Sequence, residues 1–317
     1  CWDLGKIMVP IMLAIRLLRP LGVIEKIGWV LEPAMRLVGL PGETALAWAT
    51  AILTNVYGGV AAMVALEVDL TVAQATVLST MILFAHALPV ELRIAQKAGP
   101  RLRIMGPLRI AGALLAGFLL YHLYRLTGWL QGPASLQVEE KPDDWAFWLA
   151  DTGLFMLKVF LIVLALLVGL KLLKRFGVMD RLVRLLEPVL EALGMGPRAA
   201  PLTIIGMTMG LTYGGGLIIQ EARSGEIPKR DVFSSLALMG LAHSLIEDTI
   251  FMIVAAGAHF SGVLFGRAII SIVMVMALVR IIGRVGDRAF DRLLYRPAKK
   301  ARPAEQNAAR EEGDRGY

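Results

Sequence analysis

Long apolar runs alternate with short polar stretches along the chain, and the whole order occurs twice. An apolar run opens each half, at residues 4–18 and 154–173. Residues 23–38 and 178–193 follow, with charges such as Glu25, Lys26, Arg36, Asp180, Arg181 and Arg184 set between apolar positions. That spacing predicts an amphipathic helix lying in a membrane interface. Next comes an apolar segment rich in small residues and broken by Tyr-Gly-Gly, then a short hydrophilic loop at 67–71 and 221–231. A long run carrying a histidine (72–94 and 232–256) and a final apolar run (104–124 and 263–282) complete each half. The longest of these runs have the length and apolar character of bilayer-spanning helices.

The halves also match residue by residue, at offsets of 155–158 positions. Leu31-Glu32-Pro33 returns as Leu186-Glu187-Pro188, and Gly39 as Gly194. Tyr57-Gly58-Gly59 returns as Tyr213-Gly214-Gly215, Ala85-His86 as Ala242-His243, and Ala98-Gly99 as Ala256-Gly257. Matches in one order at nearly one offset mark an internal repeat. The division read from it is a first repeat at 1–128, a polar linker at 129–150, a second repeat at 151–283, and a charged tail at 284–317 of partly unfixed structure.

Composition agrees with a membrane protein. Of 317 residues, 56% are hydrophobic and 19% charged, against roughly 45–50% and about 25% in soluble domains. The single cysteine, Cys1, excludes a disulfide scaffold. The net charge of +7 is scattered between apolar runs, so no nucleic-acid partner is expected. Scattered cations between apolar segments instead report topology, because short cytoplasmic loops are enriched in Lys and Arg. The linker, with Glu139, Glu140, Lys141, Asp143 and Asp144, belongs outside. If residues 198–220 spanned the bilayer, Arg223, Lys229, Arg230 and the basic tail would also lie outside. A re-entrant hairpin returns all of them to the cytoplasm. The same scheme puts Lys97, Arg101, Arg103 and Arg109 inside and Glu67 and Asp69 outside, but leaves Arg19, Lys26 and Arg36 on the wrong side. Each repeat then has three transmembrane helices, an interfacial amphipathic helix and a re-entrant helical hairpin. Three is odd, so the second repeat is inverted. The expected fold is an all-α integral membrane protein of a bacterial-type cytoplasmic (inner) membrane, with six crossings and both termini in the cytoplasm. Non-helical backbone at membrane depth is tolerated where it lines a cavity, and inverted repeats with interrupted helices are the layout of secondary transporters.

Candidate chemistry sits at the interruptions. The hairpin tips carry Asn55, Tyr57, Gly58 and Gly59 in one half and Thr212, Tyr213, Gly214 and Gly215 in the other. Glycine permits close backbone approach, and free N–H groups at half-helix ends suit polar or anionic ligands. Tight helix packing explains the same glycines without a ligand. His243, Glu247 and Asp248 lie inside an apolar run, and His243 and Glu247 would share a face of a continuous helix. In the first half His86 matches His243 and Glu91 roughly matches Asp248, with Pro89 expected to break the helix after His86. Ionisable residues at membrane depth mark substrate or ion pathways. Glu91, beside Arg93, could instead snorkel to the interface. A metal set of His86, His243, Glu247 and Asp248 stays open as an alternative, although no His-Glu-x-x-His motif or cysteine pair is present. No phosphate-binding P-loop and no nucleophile elbow occur, so no enzyme is expected. No cofactor is called for beyond an unidentified coupling cation. The expected partners are the lipid bilayer, a small-molecule substrate and a second copy of the chain.

The hairpin Tyr-Gly-Gly, the broken helix with His243 and Glu247-Asp248, and the duplication together resemble the nucleoside-recognition or Gate family. That family takes in concentrative nucleoside transporters, the permease part of ferrous iron transporter B, and spore maturation proteins A and B. The resemblance covers roughly residues 20–128 and 175–283, and is nearest to a fusion of two spore-maturation-like units. It implies a permease for a small polar solute, held between hairpin tips and broken helices at Asn55, Tyr57, Tyr213, Gly214, His86, His243, Glu247 and Asp248. A divalent-metal permease and a non-transporting assembly or regulatory membrane protein are implied as alternatives. The Gln-Thr-Glu-like hairpin chemistry that grips a nucleobase is missing, as are the GTPase domain and cysteine motifs of the iron transporter.

Overall fold

The computed structural model describes residues 2–134, 144–225 and 227–296; within the helices the side chains of some positions, 211–215 among them, are not described. All the described elements are helical apart from isolated bridges. In the first half, α1 (Trp2–Leu18) passes through a 3-10 turn into α2 (Val23–Arg36), which lies at 93° to it. The bend falls at Gly22, whose φ of 65° sits in the left-handed region. α2 buries Ile24, Gly28 and Met35 and leaves Trp29 exposed, as an amphipathic interfacial helix should.

α3 (Thr44–Leu53) and α4 (Val56–Leu66) are each too short to cross a bilayer: 10 or 11 residues reach ~15–17 Å, against ~30 Å of hydrocarbon. Asn55 starts α4 as its N-cap, its side chain accepting from the Gly58 N–H at 2.9 Å. A Cβ on Gly59 would stand 2.7 Å from the Ala51 Cβ, so α4 folds back along α3 as a helical hairpin. Arg19 closes the far end of α4, donating to the Leu66 carbonyl and pairing with Glu67. Arg36 pairs with Glu32 at 2.9 Å. Local partners therefore account for two of the three cations that the charge rule misplaced.

α5 (Val72–Phe84) starts at a capping box formed by Thr71 and Gln74. It breaks at Ala85–Ala87, where Ala87 adopts φ 48°, and continues as α6 (Leu88–Ala98). The break precedes Pro89, which sits in the first turn of α6, where its missing N–H is tolerated. α7 (Leu102–Thr127) completes this half.

The second half repeats the order. α8 (Trp145–Arg175) leads to α9 (Val178–Ala192), then to α10 (Ala199–Met209) and α11 (Leu211–Ser224), which pack together. α12 (Lys229–Ala242) breaks at His243–Ile246, where Ser244 adopts φ 48°, and continues as α13 (Glu247–Ala256). A π-helical turn (Ser261–Gly266) opens α14 (Arg267–Gly283). The second arm of each hairpin packs on the broken helix of the other half: α4 on α13, and α11 on α6.

Among the described residues, five helical stretches are long and apolar enough to cross a membrane: Val72–Ala98, Leu102–Thr127, Trp145–Leu173, Lys229–Ala256 and Ser261–Gly283. The sixth expected crossing, the run at 4–18, falls in α1, which has 17 residues and is long enough to span only if taken together with α2, bent at 93° to it. α8 is peripheral and exposes Leu154, Leu157, Leu161 and Leu164.

The first part of the charged tail has fixed structure. α15 (Asp287–Leu293) buries Phe290, and Tyr295 donates to the Ala98 carbonyl at 2.7 Å. Burial, with Asp291 nearby, pushes the Tyr295 hydroxyl up to about 12. Residues 297–317 lie outside the described residues, as does the acidic part of the linker at 135–143.

Candidate functional site

The two helix breaks meet at the centre of the bundle, against α7. A Cβ on Gly112 of α7 would lie 3.0 Å from Phe84, 3.1 Å from Leu241 and 3.2 Å from Met274. Glycine there admits the last residues of both α5 and α12. A helix that stops inside a membrane leaves carbonyls without intrahelical donors. Two arginines answer this need. Arg109 Nε donates to the Phe84 carbonyl at 2.9 Å. Arg267 Nε donates to the Leu241 carbonyl at 3.0 Å, and its Nη2 to the His243 carbonyl at 2.8 Å. The pairs Phe84/Leu241 and Arg109/Arg267 stand at the repeat offset, so one device is built twice.

Sequence reasoning missed both arginines in this role. Arg109 was counted among cytoplasmic charges, yet it is 2% exposed, and Arg267 is 0% exposed. An arginine near the end of an apolar run looks like a topology marker. The signal available was the offset: Arg109 and Arg267 are in register with Ala98 and Ala256.

Each arginine faces an acid of the downstream half-helix. Glu91 forms a buried ion pair with Arg109. The looser counterpart is Asp248, whose Oδ2 lies 3.9 Å from Arg267 Nη1; neither atom has a hydrogen-bond partner. Glu91 thus does not snorkel. It is 8% exposed, while exposed Arg93 binds Gln96 at 2.8 Å.

Between the pairs lie the histidines, both buried. His86 Nδ1 is 3.1 Å from the Ile82 carbonyl and His243 Nδ1 is 2.8 Å from the Met239 carbonyl. The two Nε2 atoms face each other at 3.0 Å. Glu91 Oε1 lies 3.2 Å from His243 Nε2 and 3.4 Å from His86 Nε2. A ligand atom of Asp248 lies within 4.8 Å of both rings' ligand atoms.

The other predicted residues are placed around this centre. The Tyr57 hydroxyl donates to Glu247 Oε1 at 3.3 Å, and its ring meets Phe251 edge-on at 4.7 Å, so the first hairpin touches the second broken helix. Glu247 and His243 do not share a helix face, because the α12–α13 break falls between them. Of the metal alternative, His86, His243 and Asp248 come together and Glu247 does not join them. The N–H groups expected to be free at the first tip are occupied: Gly58 donates to Asn55 Oδ1, and Gly59 to the Asn55 carbonyl at 3.1 Å. Gly58 and Gly59 lie inside α4, where their lack of a side chain serves packing. The side chains of Thr212 and Tyr213, with Gly214 and Gly215, lie outside the described residues, although their backbone is helical. A cavity of about 10 Å³ lies against Glu91 and Arg109. A larger one of about 290 Å³, lined by Gly39, Gln74, Tyr121, Tyr124 and Gln131, contacts none of the predicted site residues.

An all-helical bundle with bilayer-length apolar helices and a charged centre at two helix breaks defines a multi-pass membrane protein in contact with lipid. The family model described as "Gate: Nucleoside recognition" matches residues 1–96 and 156–260, and the chain belongs to that family. A relative from Bacillus subtilis (strain 168), "Uncharacterized membrane protein YvoD", is 28% identical over 287 residues, covering 87% of this chain and 89% of the relative. No solved structure matches.

Proposed function

We propose that this protein is a Gate-family permease that moves a small polar solute across the cytoplasmic membrane of a bacterial-type cell. The observation that carries this reading is the buried centre where two broken helices cross. Two arginines, two acids and two histidines there lie inside an apolar bundle. Placing even one charge at mid-bilayer is unfavourable by roughly 2.5–3.5 kcal/mol on insertion scales, and such groups usually serve a pathway. Matched breaks in two halves are also how transporters present backbone and side chains to a midplane ligand. In this reading the halves are inverted repeats, each hairpin is re-entrant, and both termini are cytoplasmic. The Tyr57–Glu247 contact couples the first hairpin to the second broken helix, and substrate enters between that hairpin and the segment at 212–215. The tight packing at the centre corresponds to an occluded state. "Nucleoside" comes from the family description and not from groups that would grip a base.

Reconstitution tests this. Proteoliposomes holding the purified chain should take up at least one of a panel of nucleosides, amino acids and organic anions. Uptake should fall with Glu247→Gln while the melting temperature holds. An absence of flux across the panel, with a stably co-purifying partner protein, would favour the assembly reading. Orientation is tested by cysteine labelling in cells: Ser224→Cys should label from the cytoplasm and Phe260→Cys from outside. Labelling of both from one side rules out the re-entrant hairpin.

A further inference from the structure

The histidine pair raises a problem that hydrogen bonding within the chain does not solve. A backbone carbonyl can only accept, so the Nδ1 atoms beside Ile82 and Met239 carry the ring hydrogens. Both Nε2 atoms of the neutral rings then present lone pairs. They face each other at 3.0 Å, and a carboxylate oxygen of Glu91 faces both, at 3.2 and 3.4 Å. Three acceptors converge on one point with no hydrogen among them. One cation at that point would satisfy all three.

We propose that His86 Nε2, His243 Nε2 and Glu91 Oε1 bind one divalent transition-metal ion. The two separations from Glu91 Oε1, 3.2 and 3.4 Å, are near what one ion requires, and the 3.0 Å between the Nε2 atoms would widen by a few tenths of an ångström on binding. In tetrahedral coordination with ligands at ~2.0–2.1 Å, neighbouring ligand atoms stand about 3.3–3.4 Å apart. A single proton bridges two of the three atoms and leaves no reason for near-equal spacing of all three. The surroundings have the form of a second shell. Each imidazole donates its other N–H to a carbonyl, which fixes tautomer and ring orientation. The second oxygen of Glu91 is held by Arg109. A carboxylate oxygen of Asp248 lies within 4.8 Å of the ligand atoms of both histidines. Two imidazoles and a carboxylate suit Zn²⁺, Fe²⁺, Co²⁺ or Mn²⁺ better than Ca²⁺ or Mg²⁺. The site needs both halves, since His86 and Glu91 come from α5–α6 and His243 from α12. The inference names a ligand for the centre proposed above and rests on that centre's being functional, but it concerns binding at equilibrium and not flux.

The test uses the full chain in detergent, stripped with a chelator and titrated with Co²⁺ and Zn²⁺. The expected result is one ion per chain by elemental analysis, a visible Co²⁺ spectrum of the intense tetrahedral type, and a raised melting temperature with Zn²⁺. His86→Ala, His243→Ala and Glu91→Gln should each abolish the Co²⁺ spectrum. His122→Ala and His259→Ala, which alter the two histidines outside the cluster, should leave it intact. Should the alanine variants misfold, His86→Asn and His243→Asn keep a side chain of similar reach and must also lose the spectrum. Failure of Co²⁺ and Zn²⁺ to bind stoichiometrically overturns the proposal. So does a spectrum that survives the His86 and His243 variants, or a histidine pair that shares a proton by ¹⁵N NMR in the presence of excess Zn²⁺. Loss of metal binding leaves solute uptake in proteoliposomes to be judged separately, so the two readings fail independently.

Discussion

Removing Arg109 tests how the centre is held together. The guanidinium bonds the Phe84 carbonyl and the Glu91 carboxylate, and it is 2% exposed. In Arg109→Met a side chain of similar length fills the space but carries no charge. Glu91 is left as a buried, unpaired carboxylate, which costs about 3–5 kcal/mol. The Phe84 carbonyl loses its donor at a helix break, a further ~1–3 kcal/mol. Glu91→Met, the reverse change, strands the arginine at a similar ~3–5 kcal/mol. The double variant removes both charges together, and apolar replacement of a buried pair is often neutral or favourable. It should therefore be no less stable than the worse single variant, with a coupling energy of at least about 3 kcal/mol. The assay is equilibrium unfolding in mixed micelles, with chelator present so that a bound ion does not contribute. Single effects that add to within about 0.5 kcal/mol would refute the reasoning, because independent sites behave that way. The corresponding cycle at Asp248 and Arg267 should give a smaller coupling, since those groups are 3.9 Å apart and not hydrogen-bonded.

Two further outcomes are expected. Gly59→Ala should destabilise the first hairpin by about 1–3 kcal/mol by overpacking, although alanine favours helices, because its methyl meets Ala51 at 2.7 Å. Ala51→Gly in that background should restore part of the loss, and a Gly59→Ala protein more stable than wild type on thermal melting would show that the helices do not approach so closely. Tyr295 gives a pH signature. Its hydroxyl ionises near 10.0 when unfolded and near about 12 when buried, so its contribution is complete below pH 10 and declines as pH rises toward 12. Tyr295→Phe should lose about 1 kcal/mol at neutral pH, where one hydrogen bond is gone, and should flatten the alkaline decline in stability. An unchanged slope between pH 10 and 12 would place the alkaline loss elsewhere.

Much of the fold was legible in the sequence because lipid imposes simple rules. Apolar length fixes where helices can span, and the duplicated Tyr-Gly-Gly and Ala-His pairs fix where each half is interrupted. His86, His243 and Asp248 were found that way, as polar residues in apolar surroundings. Arg109 and Arg267 were not, because a cation near the end of an apolar run obeys the positive-inside pattern whether it faces water or the core. Nor could spacing separate Glu247 from Asp248: only the break at His243–Ile246 turns one toward Tyr57 and leaves the other beside Arg267.

The sequence by itself determined that the chain is helical, sits in a membrane and is built from two like halves, since those properties follow from periodicity and hydropathy along the chain. The tertiary structure alone decided which residues form the centre. His86, Glu91 and Arg109 meet His243, Asp248 and Arg267 because α5 and α12 stop against the same glycine of α7, and the carbonyls freed at those stops find their donors in the two buried arginines.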